Sequence, residues 1–122
     1  MILFLDDCLH RTRIFIDKYP QGITTTQSKS MIALLKLPMH VQYLFLDHDL
    51  NGDVAGYNPT GPAENTGMEV VEWLENNTRQ VGQIVVHSCN AGAAPYMVNR
   101  LQKAKYYVVG CPFFDLIPQL GR

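Results

Sequence analysis

Cysteine is scarce and poorly spaced for structural work: Cys8, Cys89 and Cys111 are an odd set of three with no CxxC pair among them. That pattern argues against a disulfide framework and a zinc knuckle, and reduced thiols in the cytosol are the expectation. An excess of one charge sign is missing too, because ten Lys and Arg stand against eleven Asp and Glu, a formal net charge of -1. Coating double-stranded nucleic acid or an anionic membrane needs concentrated Lys and Arg, so neither partner is expected. No apolar run approaches the roughly 20 residues of a membrane span. Met1 to Leu5 is apolar but runs straight into Asp6 and Asp7, far short of a signal-peptide core. No exporting or anchoring segment is read, and a cytoplasmic location is the expectation. Internal repeats and low-complexity tracts are lacking as well.

What is present suits one compact fold. At 122 residues, 47% of them hydrophobic, the chain can bury a continuous core, and a single domain over 1–122 is expected. Four short apolar runs, Ile2–Leu5, Val41–Leu46, Gln83–Val86 and Tyr106–Val109, lack polar alternation and read as parallel strands covered on both faces. Ile23–Thr26, rich in β-branched threonine, reads as an edge strand. Helical spacing falls between them, at His10 to Tyr19, Ser28 to Leu37, Gly67 to Asn76 and Ala91 to Lys103. Pro38 stops the second helix. Thr66 with Glu69 forms a capping box for the third, whose buried side is Val70, Val71, Trp73 and Leu74, and Asn90 is placed to cap the fourth. The alternation predicts an α/β fold, an open doubly wound five-stranded parallel sheet of flavodoxin-like, receiver-like topology with strand order 2-1-3-4-5. The segment Leu50 to Asn65 is long for a strand-to-helix loop, and loops of that length commonly carry function. After the fifth strand, Pro112 and Pro118 interrupt the chain, so the closing helix is expected to be stunted or absent. The sheet face left uncovered there would favour a homo-oligomer.

Three strands end in chemistry: Asp6-Asp7 after the first, Asp47-His48-Asp49 after the third, and His87-Ser88-Cys89-Asn90 after the fourth. In a parallel sheet of this order these ends are neighbours, about 4.8 Å apart. Carboxylates crowded in that way disfavour joint ionisation unless a cation neutralises them, and a divalent metal is the simplest resolution. Asp6, Asp7 and Asp47 form an oxygen-rich ligand set suited to Mg²⁺, while entry of His48 or His87 would shift preference toward Mn²⁺. His48 and His87 beside acids suit general acid or base work. Ser88 and Asn90 are candidates to hold a phosphate, with Thr66 beside them at a helix start. Each residue also has a plainer role: turn formation for Asp6 and Asp7, structural hydrogen bonding for the histidines, helix capping for Thr66, Ser88 and Asn90.

Leu3-Phe4-Leu5-Asp6-Asp7, Leu44-Phe45-Leu46-Asp47-His48-Asp49-Leu50, Thr66-Gly67, Val70-Val71, Trp73-Leu74 and His87-Ser88-x-Asn90 together resemble the cyclic-phosphate processing receiver domain family. The likeness covers nearly the whole chain, and its specificity lies in the joint presence of the DHD and HSxN elements. It implies a receiver fold recruited to act on, or bind, cyclic phosphates of nucleotides or ADP-ribose-like compounds. By likeness to phosphorylatable receivers, Asp6-Asp7 would be the metal-binding pair, Asp47 the phosphoacceptor position and Ser88 the hydroxyl position. Those receivers end their fifth strand in Lys-Pro, whereas this chain has Cys111-Pro112. The missing lysine argues against phosphorelay signalling.

Three functions follow as expectations. The first is metal-assisted hydrolysis of a cyclic phosphodiester. Asp6, Asp7 and Asp47 would hold the ion, His87 would protonate the departing ribose oxygen, His48 and Asp49 would orient the water, and Ser88 with Asn90 would hold the phosphate. The second is a haloacid-dehalogenase-type phosphatase, because Asp47-His48-Asp49 imitates a DxD nucleophile motif; against it, that motif normally opens its domain. The third is a non-enzymatic nucleotide-sequestering or dimerisation module that kept the acidic pocket.

Overall fold

The computed structural model describes residues 1–50 and 65–113. Strands and helices alternate as β1 (Ile2–Leu5), α1 (Leu9–Lys18), β2 (Ile23–Thr25), α2 (Ser28–Leu35), β3 (Val41–Leu46), α3 (Gly67–Asn76), β4 (Val81–Val86), α4 (Ala93–Lys103) and β5 (Val108–Gly110). All the strands are parallel in one five-stranded sheet of order β2-β1-β3-β4-β5, a flavodoxin-like receiver topology. The doubly wound expectation holds, including the strand order.

Strand parity sorts the core into two chemically different layers. Leu3, Leu5, Leu44, Leu46, Ile84 and Val86 face α2, α3 and α4 and join Met31, Leu35, Val70, Leu74, Met97 and Leu101 in an aliphatic cluster. The alternate residues Phe4, Phe45 and Val85 face α1 and pack with Phe15 and Phe113. This second layer is aromatic: Phe4 stacks on Phe15 at 4.4 Å between ring centroids, and Phe45 meets Phe15 edge-on at 5.4 Å. Burial on both sides explains the absence of polar alternation in the strands.

Element ends differ from the sequence expectation where side chains intervene. The strand expected at Tyr106–Val109 starts at Val108 because α4 closes with a Schellman motif. There Lys105 adopts φ 73°, the Tyr106 N–H donates to Leu101 O at 3.1 Å, and the Lys105 N–H donates to Gln102 O at 3.0 Å. Helix α4 begins at Ala93 rather than Ala91 because Asn90 Oδ1 accepts the Gly92 and Ala93 N–H groups, at 3.1 and 3.0 Å. Helix α2 stops at Leu35, and the Arg79 guanidinium gathers the carbonyls of Leu35, Leu37 and Met39 just beyond it. Strand β4 starts two residues early, pairing Val81 with Val41. Most of the Leu50 to Asn65 loop and the chain after Phe113, where a stunted helix is expected, lie outside the described residues. Among the described residues no helix is long and apolar enough to cross a membrane.

Candidate functional site

Register decides which side chains meet. Leu5 is level with Leu46, and Leu46 with Val86, so the next residues, Asp6, Asp47 and His87, emerge side by side at the carboxyl rim. Parity places them on the side of Phe4 and Phe45, under the first turn of α1. A ligand atom from each lies within 4.8 Å of those of the other two, and all three residues are buried. The trio is close enough to hold a metal ion. Asp7, half-buried beside it, is outside that group.

Asp6 is the most heavily bonded residue of the site. Its Oδ1 accepts the Cys8 N–H at 2.8 Å and Arg11 Nη2 at 2.9 Å, and its Oδ2 accepts Arg11 Nε at 2.7 Å. His87 Nε2 lies 3.0 Å from the same Oδ2. Burial alone would raise this carboxyl, but the hydrogen bonds from His87 and Arg11 overrule it and hold the group at about 2. Asp6 is therefore ionised at every working pH.

Asp47 goes the other way. Burial and the neighbouring Asp6 charge push it up to about 7, against the help of the His48 N–H, which donates to Oδ1 at 2.9 Å. Its Oδ2 lies 3.6 Å from Arg11 Nη2, too far for a hydrogen bond. One guanidinium thus serves two carboxylates unequally, and Asp47 is left short of positive charge.

His87 is a wall of the site rather than a surface group. It is 1% exposed, stacked on Phe4 at 4.8 Å and edge-on to Phe113 at 6.0 Å. Burial lowers its pKa although the hydrogen bond and charge of Asp6 oppose this, which favours the neutral ring with its Nε2–H donating to Asp6. Among the described residues Nδ1 is then buried without a hydrogen-bond partner. Metal-bound histidines almost always donate their second ring N–H to an acceptor, and no described residue offers one to Nδ1. The donor set consequently fits a hard ion held through carboxylate oxygens of Asp47 and Asp6, with Arg11 drawn back, better than one that recruits His87.

A second acid and imidazole pair lies at the mouth. His48 Nδ1 is 2.7 Å from Asp49 Oδ1, and Asn90 Nδ2 approaches both Asp49 oxygens at 3.5 Å, linking the β3 and β4 ends. Ser88 is buried and its Oγ accepts the Asn90 N–H at 3.0 Å. With Asn90 Oδ1 committed to α4, Ser88 and Asn90 first of all build the turn into that helix, and the Asn90 amide NH₂ is what they turn toward Asp49. Thr66 accepts the Met68 N–H at 3.2 Å and pairs as an isolated bridge with Asp49. Glu69 completes this helix start by accepting the Asn65 N–H at 2.9 Å, one residue earlier than a standard capping box. Gly67 lets the helix close onto the rim, because a Cβ there would lie 2.1 Å from the Asp47 carbonyl oxygen.

Arg11 was missing from the sequence reading. The available signal was a cation in the first turn of a helix, where positive charge opposes the helix dipole and needs an offsetting anion. A groove of about 530 Å³ at the opposite end of the sheet, lined in part by Arg79, Lys105 and Tyr106, holds none of these groups.

Neither the curated proteins nor the solved structures compared with the chain give a match. The sequence profile of the cyclic-phosphate processing receiver domain matches residues 1–103, a span that takes in both acid and imidazole pairs and Arg11, and the chain belongs to that family.

Proposed function

We propose that this protein hydrolyses a cyclic phosphodiester carried on a nucleotide or an ADP-ribose-like compound, with a divalent ion as cofactor. Family membership supports a role connected with cyclic phosphate. The observation that carries the hydrolytic reading is the convergence of Asp6 and Asp47 within 4.8 Å, one held ionised and the other raised toward neutrality. A carboxyl brought toward neutrality beside one that stays charged is suited to exchange a proton near neutral pH, while its neighbour keeps a fixed negative charge for a cation.

Asp47, Asp6 and, after a side-chain turn, Asp7 would hold the ion, and the all-oxygen character of that set favours Mg²⁺ over Mn²⁺. When bound, the ion would polarise a phosphoryl oxygen and acidify water. The chain's own residues handle the protons. Asp47 accepts one from the attacking water as a P–O bond forms. On the opposite side, the ring P–O bond breaks and the departing ribose oxygen takes a proton from His48, which Asp49 orients. We move that donor role from His87 to His48 because the His87 ring is buried with Nε2 committed to Asp6. His87 then fixes Asp6, and the Asn90 NH₂ with Ser88 borders the phosphate. Chain order gives no support to a DxD phosphatase, since Asp47 and Asp49 follow the third strand.

A sequestering role draws on one feature, the Arg11 fork that already satisfies Asp6 without any ion. Turnover separates the two readings. Purified protein incubated with 2′,3′-cyclic and 3′,5′-cyclic nucleotides and an ADP-ribose cyclic phosphate, with Mg²⁺ or Mn²⁺, is followed by phosphorus NMR. Appearance of a phosphomonoester supports hydrolysis. Saturable binding with an unchanged spectrum over many hours rejects it in favour of sequestration.

A further inference from the structure

We propose that Arg11 is a substrate-binding residue, a guanidinium locked by Asp6 so that its remaining edge takes a phosphate oxygen beside Asp47. This deepens the reading above and rests on it for the class of anion. The fork is fixed: Nε and Nη2 lie 2.7 and 2.9 Å from the two Asp6 oxygens, and Asp6 is itself fully buried and anchored by the Cys8 N–H and His87. Bidentate pairing fixes the plane of a guanidinium, and hence the direction of every N–H it does not use. Nη1 has no partner among the described residues, and Nη2 is 3.6 Å from Asp47 Oδ2. The side chain remains about a quarter exposed, at 24%, whereas both acids are buried. Of the three charged side chains Arg11 is therefore the one most open to solvent.

Placement sharpens the point. Arg11 sits in the first turn of α1, which has no acidic residue, so its charge works against the helix dipole. The fifth strand, for its part, leads into Cys111 and Pro112, where phosphorylatable receivers keep a lysine. Arg11 brings positive charge to the rim from the opposite side of the sheet, next to the same Asp47. It also implies competition: a divalent ion at Asp6 and Asp47 must displace or repel Arg11, whereas a phosphate on the free edge leaves the Asp6 fork in place.

The test uses the full chain, in chelator, with inorganic phosphate as probe and ¹H–¹⁵N chemical shifts as readout. The unsubstituted protein should show saturable shifts at Asp47 to Asp49 and at Arg11. Arg11→Gln should weaken phosphate binding by about tenfold or more, with Arg11→Lys in between because it keeps charge without the fork. In phosphate-free buffer, Mn²⁺ followed by paramagnetic broadening should bind Arg11→Gln several-fold more tightly than the parent. If Arg11→Gln unfolds, the double variant Asp6→Asn with Arg11→Gln removes both charges of the pair, and it should lose phosphate binding to the same extent. Equal phosphate affinity in parent and variants, or no binding by the parent, overturns the proposal. Loss of phosphate binding in Arg11→Gln alongside a parent that turns over no cyclic phosphodiester would leave Arg11 assigned and reject hydrolysis alone.

Discussion

Replacing Asp47 with asparagine should stabilise the protein, and the gain should grow as pH rises. Asp47 has an ordinary value of 3.8 and stands at about 7 in the fold. The sign follows from proton counting. Between those values the folded state binds more protons at this site than the unfolded chain, so stability falls as pH increases through the window. At 1.36 kcal/mol per pKa unit, the site costs about 2 kcal/mol by about pH 5 and about 4 kcal/mol by about pH 8. Water drawn in around the charged group reduces such figures, so the advantage of Asp47→Asn should widen by about 1–2 kcal/mol between about pH 5 and about pH 8. Titrating groups that do not interact with Asp47 contribute equally in both proteins and cancel in the difference. Urea unfolding of parent and variant at the two pH values, with chelator present, measures it. Added Mg²⁺ should flatten the parent's slope if the ion binds there. Parallel pH profiles for the two proteins, or a variant that loses ground as pH rises, would refute the electrostatic account of Asp47.

Three further outcomes are expected. Gly67→Ala should cost about 3 kcal/mol and shift the amides of His48 and Asp49, because the added methyl meets backbone at Asp47 rather than a side chain that can move; thermal melts and an amide spectrum check both. Lys105→Gly should stabilise by about 0.5–1 kcal/mol, since a left-handed residue at the end of α4 suits glycine, and chemical denaturation reads it directly. His48→Gln should leave the fold intact while lowering kcat on a cyclic phosphodiester by about 10² or more, the usual worth of a positioned proton donor; an unchanged kcat would remove His48 from the chemistry.

The central strands were legible because they are covered on both faces: uninterrupted apolar runs such as Ile2–Leu5 have few other uses in a chain this short. Strand ends were legible for the same reason, since Asp6, Asp47 and His87 each follow directly on an apolar run. Arg11 was not, because its role depends on which side of the sheet α1 covers, and that is a property of parity and crossover rather than of any local pattern. The depth of His87 escaped for a related reason: its stacking on Phe4 and edge contact with Phe113 join residues far apart in the chain. Asn90 was placed correctly as a cap, but its double duty toward Asp49 needed the β3 end in view.

The bridge between Asp49 and Thr66 clamps together the two places where the chain leaves and re-enters the rim. With those feet pinned, the closure cost of whatever lies between grows only with the logarithm of its length. That interval is thus a natural port for exchange: segments of different size and composition can be grafted across it while the rim held by Asp49 and Thr66 keeps its shape.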